Sequence, residues 1–551
     1  MKLRYKLYIL SIIILFIGTN ANSQVLETKS LPEERNYEIV IGKGISIPIF
    51  DGVPVDQLYL YAFYNNEGWK PIPFQIDESD PTYADPPDNK FDSNDELLFL
   101  AQDLGDKVTL GNWIDNEDAK SNKRIEIEIV DPIDENNKGW CYFYKSATLT
   151  ESDKSDIKYL TYDAVNDSVV GRYYHAGYGN NWFPRNISIT AEGQGNGKDF
   201  YDRTKFRIRA IPFPGIDLFL NENHLLLSSK EYLIEGPIRI QRRDTLKFNI
   251  PDFEFSATFT RKFSPYFTNF HGKVELQAQW LFKVLRMSYD LSPDIAGAKF
   301  FSGDSNGVKN TNITVDGSSD KSSINLGLQK NSPNWTMVTG QFGTMLTINS
   351  VNFEKDTTYT EPYTQELYYW DDNTGAPLPI GMDTDTGDSV SYGDHGMIFK
   401  SDALVGVATY NSETYLLPAN KASDCAQKMF YNFNSPMFFR IDSQDFLTGV
   451  ELAGNNHIPT EFRLRPNFPN PFNPTTNITF DLPKNDFVTL EIFDLQGRHI
   501  ITLVNNKLNA GVHNYTWNGR DQNDHLVTSG IYLCTIKTGT FSATQKMAFV
   551  K

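Results

Sequence analysis

Two acidic stretches carry the residue types that a hard cation requires. Between Asp77 and Asp106 stand ten carboxylates and one lysine. The densest part, Asp88-Asn89-Lys90-Phe91-Asp92-Ser93-Asn94-Asp95-Glu96, leads directly into the apolar run Leu97-Leu98-Phe99-Leu100-Ala101. Closely spaced Asp and Asn side chains with the carbonyls of a tight loop suit Ca²⁺, and a bound cation relieves like-charge crowding. Asp88, Asp92, Asp95 and Glu96 are therefore candidate ligands. The spacing departs from an EF-hand loop and lacks its central glycine. The competing reading is a solvated acidic turn with Asp92 or Asp95 as a cap. A second stretch, from Asp371 to Asp394, holds six Asp and no Lys or Arg. Its candidate ligands are Asp383, Asp385 and Asp388, against a plain polar loop.

A third cluster is aromatic: Tyr173-Tyr174-His175-Ala176-Gly177-Tyr178-Gly179-Asn180-Asn181-Trp182-Phe183. Flat rings stack on the C–H faces of sugars while Asn and His bond hydroxyls, so Tyr173, Tyr174, Tyr178 and Trp182 form a candidate carbohydrate platform. The alternative is a packed loop. Gly303-Asp304-Ser305-Asn306-Gly307 matches a nucleophile elbow on paper, but only Phe300-Phe301 precedes it and no helical period follows. A turn is the plain reading. Gly193-Gln194-Gly195-Asn196-Gly197-Lys198-Asp199 has the wrong glycine spacing for a phosphate loop, and Asp199 stands where Ser or Thr belongs. The histidines at 175, 224, 271, 395 and 457 show no ligand spacing. A glycosidase needs two acids about 5–10 Å apart across a cleft, and spacing alone singles out no such pair.

The elements that would position these residues are strands. Arg124-Ile125-Glu126-Ile127-Glu128-Ile129-Val130 and Lys273 to Trp280 alternate as half-buried strands do. Asn65-Asn66-Glu67-Gly68 is a hairpin-type turn, and Pro48 inside Ile45–Ile49 reads as an edge strand. Helical periods are scarce, with residues 422–428 a short candidate. The class expected is all-β and multi-domain. It comprises an N-terminal β-domain with the acidic loop (24–155), a large central β-sandwich (156–460), a Pro/Asn-rich linker (461–475) read as a semi-stiff spacer, and an Ig-like C-terminal β-sandwich (476–551).

The net charge is −18 over 551 residues. Residues 461–551 hold nine Lys/Arg and seven Asp/Glu, whereas residues 24–460 hold 39 and 62, a net of −23. So acidic a body repels nucleic acid and anionic membrane surfaces. Residues 1–23 read as a signal peptide: Lys2, Arg4 and Lys6 precede an apolar run of about a dozen residues, short of the roughly 20 that span a bilayer. The mature protein is expected to carry no transmembrane segment. Three cysteines, Cys141, Cys425 and Cys534, are too few for a disulfide framework, although Cys141 and Cys425 could pair in an oxidising compartment.

The last 85 residues carry a resemblance. Pro469-Asn470-Pro471-Phe472-Asn473-Pro474-Thr475-Thr476, Phe493-Asp494-Leu495-Gln496-Gly497-Arg498, Trp517-Asn518-Gly519-Arg520-Asp521 and Ser529-Gly530-Ile531-Tyr532 follow one another in order. Together with the ending from Lys546 to Lys551, this run resembles the type IX secretion C-terminal sorting domain (type A). The resemblance implies export to the periplasm and passage through the type IX secretion machinery. The chain would end secreted or on the outer surface of a Gram-negative cell. It marks Pro469, Asn470, Pro471, Phe472, Asn473, Pro474, Gly497, Gly530 and Tyr532 as sorting residues. The phrase Phe91 to Phe99 also resembles a segment of gingipain-like peptidases, with no Cys–His peptidase domain beside it. For the body the expectation is an extracellular binding role, with carbohydrate as the ligand class. The alternatives are a polysaccharide-acting hydrolase or lyase and a structural surface protein. Two facing carboxylates in a cleft beneath Tyr173, Tyr178 or Trp182 would favour the enzyme.

Overall fold

The computed structural model describes residues 25–78, 87–178, 184–221, 225–248, 256–276, 281–317, 324–326, 333–358, 362–372, 391–446, 462–465, 467, 470, 472, 474–523, 525–539 and 541–549. All counts and absences below refer to these residues. The leader, Trp182, Asp383, Asp385, Asp388, Pro469, Pro471, Asn473, His224 and His457 lie outside them. The chain divides into two compact units, Met1–Phe446 and Leu447–Lys551. Both are all-β, as expected.

In the first unit, Arg124–Val130 turns Ile125, Ile127 and Ile129 into a core with Leu60, Cys141 and Phe143. Its opposite face carries Arg124 and Glu126 beside Tyr144 and Tyr142, their cross-strand partners. The five-stranded sheet runs Phe438–Gln444, Arg124–Val130, Lys138–Lys145, Leu58–Tyr64, Gly68–Pro71. Its outermost strand, Phe438–Gln444, comes from the far end of the body and sets Ile441 opposite Ile127. The boundary expected between 155 and 156 therefore separates no compact units, because the body's last strand completes its first sheet.

The central part is a large sandwich, as expected. A six-stranded sheet runs Ile216–Asn221, Tyr201–Phe213, Leu281–Leu291, Ser391–Leu404, Tyr363–Asp372, Ile324–Asn325. A nine-stranded sheet runs Leu225–Glu235, Ile240–Phe248, Ser256–Phe263, Phe267–Leu276, Gly406–Leu417, Gly343–Lys355, Asn334–Gly340, Ala298–Asp304, Gly307–Val315. Phe206, Ile208 and Phe399 of the first share one core with Phe259, Leu346 and Tyr415 of the second. Every pairing in both sheets is antiparallel.

Local departures have local causes. Residues 44–50 form two 3₁₀ turns, Gly44–Ser46 and Pro48–Phe50, in place of an edge strand. Pro48 fixes φ and removes a donor, which suits the first position of a turn better than a ladder. The helix expected at 422–428 extends over Ser423–Asn434. Gly303–Gly307 is the tip of a hairpin in which Asp304 faces Gly307, so Ser305 stands on no elbow. Cys141, Cys425 and Cys534 are all free and buried.

The second unit is a compact sandwich of three and four strands. One sheet runs Arg463–Leu464, Thr476–Leu482, Gly511–Trp517, and the other runs His499–Leu508, Asp486–Asp494, Gly530–Lys537, Ser542–Phe549. Alternation sends Ile478, Phe480, Val488, Leu490, Cys534 and Ile536 inward. The stretch before residue 476 is no spacer. Arg463–Leu464 pairs with Asp481 and Phe480, and the buried Asn467 donates to Thr476 Oγ1 at 2.8 Å. Phe472 bridges Phe549 in parallel, and its ring lies 5.1 Å from Phe549 and 5.3 Å from Trp517.

Candidate functional site

The acidic loop is drawn into the body by backbone packing. Gly44 N–H donates to Asp95 O and Ile45 N–H to Ser93 O. A Cβ on Gly44 would lie 1.7 Å from the Asp92 carbonyl oxygen, so only glycine permits this approach. The carboxylates close local turns: Asp88 Oδ1 accepts from Lys90 N, Asp92 Oδ1 from Asn94 N, and the buried Asp95 Oδ2 from Asp92 N at 2.8 Å. Glu96 turns away from them to Lys43 and Arg239, and Arg239 also holds the buried Asp77. Burial pushes the Glu96 carboxyl up, but its bonds to Lys43 and Arg239 prevail and hold it below the usual carboxylate range. The structure thus gathers Asp92 with Asp95 and sends Glu96 to a guanidinium. Among the described residues, no three His, Cys, Asp or Glu side chains form a group suited to a metal ion.

The aromatic cluster is packed. In Tyr174–Gly177, Tyr174 and Ala176 face inward while His175 faces solvent. Tyr174 is buried at the core, and Tyr178 is 3% exposed. Tyr173 stacks on Tyr266 with centroids 4.3 Å apart, and Gln102 bonds the hydroxyls of Tyr159, Tyr173 and Tyr266. Tyr174 and Tyr178 therefore offer no open face to a sugar, because strand alternation buries them.

A crevice opens beside Tyr178, between the two sheets of the sandwich. Arg261, on the inner face of Ser256–Phe263, is 3% exposed and lines the crevice with its guanidinium 4.6 Å above the Tyr178 ring. Burial pulls the Arg261 guanidinium down, with Tyr178 and Asp244 opposing. Tyr201 and Tyr289 stack 5.1 Å apart along the wall, and Ser412 and Thr414 add hydroxyls. Behind them Tyr410 Oη donates to Asn349 Oδ1 at 2.6 Å, and Thr347 and Thr414 hydroxyls lie 3.1 Å apart. No Asp or Glu is among the lining residues described. The pair of facing carboxylates that a hydrolase would need is not supplied there.

Sequence reasoning named Tyr178 but missed Arg261, Tyr289, Ser412 and Thr414. One signal was present: Ala257, Phe259, Arg261 and Phe263 share a strand phase, and an arginine in an apolar phase marks an unusual interior. Buried charge recurs on the six-stranded sheet, where Lys205 lies 3.1 Å from Asp290 and 3.2 Å from Asp394, and Arg286 pairs with Asp394. Burial pushes Asp394 up, but Arg286 and Lys205 prevail and hold it at about 2. All four side chains are sealed from solvent, so they brace strands and meet no substrate.

The sorting residues that the structure describes sit in the second unit's framework. Asn470 bonds the backbone of Lys546 and Ala548 through both ends of its amide. Phe472 is core, Pro474 O lies beside Gly519, and Gly497 takes φ 76° in the turn after Asp494. Gly530 opens a strand. Tyr532 Oη donates to Thr528 O at 2.7 Å, and its ring stands edge-on to Trp517.

The family model of the FlgD Ig-like domain matches residues 469–541. No curated protein matches the chain. Among solved structures, a polysaccharide lyase is similar at 6% identity, with 67% of this chain and 44% of that one covered and a TM-score of 0.21. An α-N-acetylgalactosaminidase from Bifidobacterium bifidum is 10% identical, with 50% and 37% covered and a TM-score of 0.26. Latent dimeric PorU from Porphyromonas gingivalis is 10% identical, with 70% and 32% covered and a TM-score of 0.14. The chain spans less than half the length of each. These likenesses are too distant to speak to activity.

Proposed function

We propose that the chain is a secreted or cell-surface protein exported by type IX secretion, whose terminal unit is the sorting module and whose body binds an extracellular ligand of the carbohydrate class. The sorting reading is supported by the ordered motif run from Pro469 to Lys551 and by its coincidence with one self-contained sandwich. Calcium at the acidic loop remains part of the proposal only as a stabilising ion, since Asp92 and Asp95 are brought together. No described helix is long and apolar enough to cross a membrane.

The single observation that carries the binding reading is the crevice beside Tyr178, of about 30 Å³, in which Ser412 and Thr414 offer hydroxyls to a polar substituent of a ligand and no carboxylate pair is among the described lining residues. A glycan array on the full chain, run beside a polysaccharide turnover assay, tests it. Retention of a glycan without cleavage is the expected result, and cleavage would place the activity with a hydrolase or lyase. Removing residues 462–551 should trap the body in the periplasm, and surface delivery of that truncation would end the sorting reading.

A further inference from the structure

The first described segment of the body is tied down by polar groups. Of residues 25–38 only Arg35 and Tyr37 are buried. Lys29 Nζ donates to Ala101 O at 2.9 Å and to Gln102 O at 2.8 Å. Glu33 pairs with Lys421 at 2.6 Å, and Glu34 with Lys428 of the helix Ser423–Asn434 at 3.1 Å. Arg35, sealed from solvent, donates to Asp131 at 2.6 Å, to Glu38 at 2.8 Å and to the carbonyls of Asn432 and Ser435. One guanidinium thus fastens the end of that helix to the first sheet. Three carboxylates meet it: Glu38 beside its own turn, Asp131 after Arg124–Val130, and Glu413 on Gly406–Leu417, which faces Glu38 and is bonded by Tyr415 and Asn269.

We infer that residues 29–38 form a pH-operated latch, docked while the Glu38–Asp131–Glu413 cluster keeps a proton and released when all three carboxylates ionise. A single cation cannot balance three anions in an interior of low dielectric. Undocking returns Glu38 and Arg35 to water and exposes little apolar surface, because Tyr37 is the one buried ring of the segment. Burial pushes the Glu38 carboxyl up to about 7, with Arg35 opposing and Asp131 and Glu413 adding. Burial raises Glu413 as well, against its bonds from Tyr415 and Asn269. A raised carboxylate gives stability that is full below its unfolded value, near 4, and lost as pH rises through the folded one. The latch is therefore closed near pH 5 and opens toward pH 8. Lys29, pulled down to about 8 by burial, keeps its charge through most of that window, and bonds from Lys421 and Tyr37 hold Glu33 ionised across it.

The test is hydrogen–deuterium exchange of the full chain at pH 5.5 and pH 8, with rates corrected for intrinsic exchange. Peptides covering residues 29–38 should lose protection at least tenfold between the two, while Arg124–Val130 and the terminal unit keep theirs. Glu38→Gln should stay protected at pH 8. Equal corrected protection of the wild-type segment at both pH values would overturn the latch. So would a loss spread evenly over the body, which marks general weakening, or a full pH response retained in Glu38→Gln. Should that variant fail to fold, Glu413→Gln removes one of the three charges and should shrink the wild-type response, and an undiminished response would overturn the cluster as its cause.

Discussion

The two units solve the same packing problem with different materials. The terminal sandwich fills its core with Phe472, Ile478, Phe480, Leu490, Trp517, Ile536 and Met547, and its buried polar groups are few and bonded locally. The body buries Lys205, Arg239, Arg242, Arg261 and Arg286 together with Asp77, Asp244, Asp290 and Asp394. Apolar packing is non-directional and tolerant, whereas each buried ion requires a fixed partner. The terminal unit thus holds its strands by apolar packing, while the body also fixes strands through oriented ion pairs.

The largest effect should come from breaking one of the body's ions. Arg239→Met leaves Asp77 and Glu96 without their shared guanidinium, and uncompensated buried charge costs about 3–5 kcal/mol. Scanning calorimetry of the full chain should show the body's transition lowered and the terminal unit's unmoved. In the terminal unit, Phe472→Ala should cost about 3 kcal/mol by opening a cavity between Trp517 and Phe549. That change should move only the other transition. An unaffected terminal unit would mean that the Pro-rich stretch is a spacer after all.

How much of this was legible in the sequence depended on whether a contact was local. Alternation revealed Arg124–Val130, and Asn65–Gly68 marked the hairpin of Leu58–Tyr64 with Gly68–Pro71, because period and turn chemistry act within a few residues. The burial of Tyr174 was also implicit in its strand phase. The pairing of Phe438–Gln444 with Arg124–Val130 was not legible, since the two lie over 300 residues apart and many strands had the same pattern. Arg261 meets Tyr178 across separate elements for the same reason. The Pro-rich stretch misled because prolines argue against regular structure, yet Asn470 and Phe472 sew it to the last strand through backbone and core contacts.

Acidity should sharpen the contrast, because the body holds buried carboxylates that are shifted up, beside others that ion pairs hold down, whereas those shifted in the terminal unit are lowered. Burial raises Asp103 to about 6 and Glu38 to about 7, the first opposed by Tyr159 and the second by Arg35. A raised carboxylate contributes stability that is full below its unfolded value, near 4, and lost as pH rises through the folded value. The body should therefore weaken between about pH 4 and 8, with Asp103 alone accounting for about 3 kcal/mol. In the terminal unit, burial pushes Asp494 up, but bonds from the Arg498 backbone and guanidinium and from Gln496 prevail and lower it. Its contribution is present above the unfolded value and fades as pH falls through the folded one. Melting curves from pH 4 to pH 8 should thus show the body's transition falling. Asp103→Asn should flatten that slope, and an unchanged slope would show that Asp103 is ionised without penalty.

The smallest effect belongs to the acidic loop, and it separates a turn from a cation site. Asp92 Oδ1 accepts one backbone bond from Asn94, and removing such a side-chain cap costs about 1 kcal/mol. Asp92→Ala should lower the body's melting temperature by that modest amount in EDTA. If the loop binds calcium, the wild-type chain should melt higher with the ion than with chelator, and the substitution should reduce that increment as well as the baseline. A loss identical in both conditions leaves Asp92 as a turn residue, because a ligand's removal must register in the ion-dependent part. The terminal unit serves as the internal reference in the same scan, so a shift in both transitions would reflect solvent conditions rather than the loop.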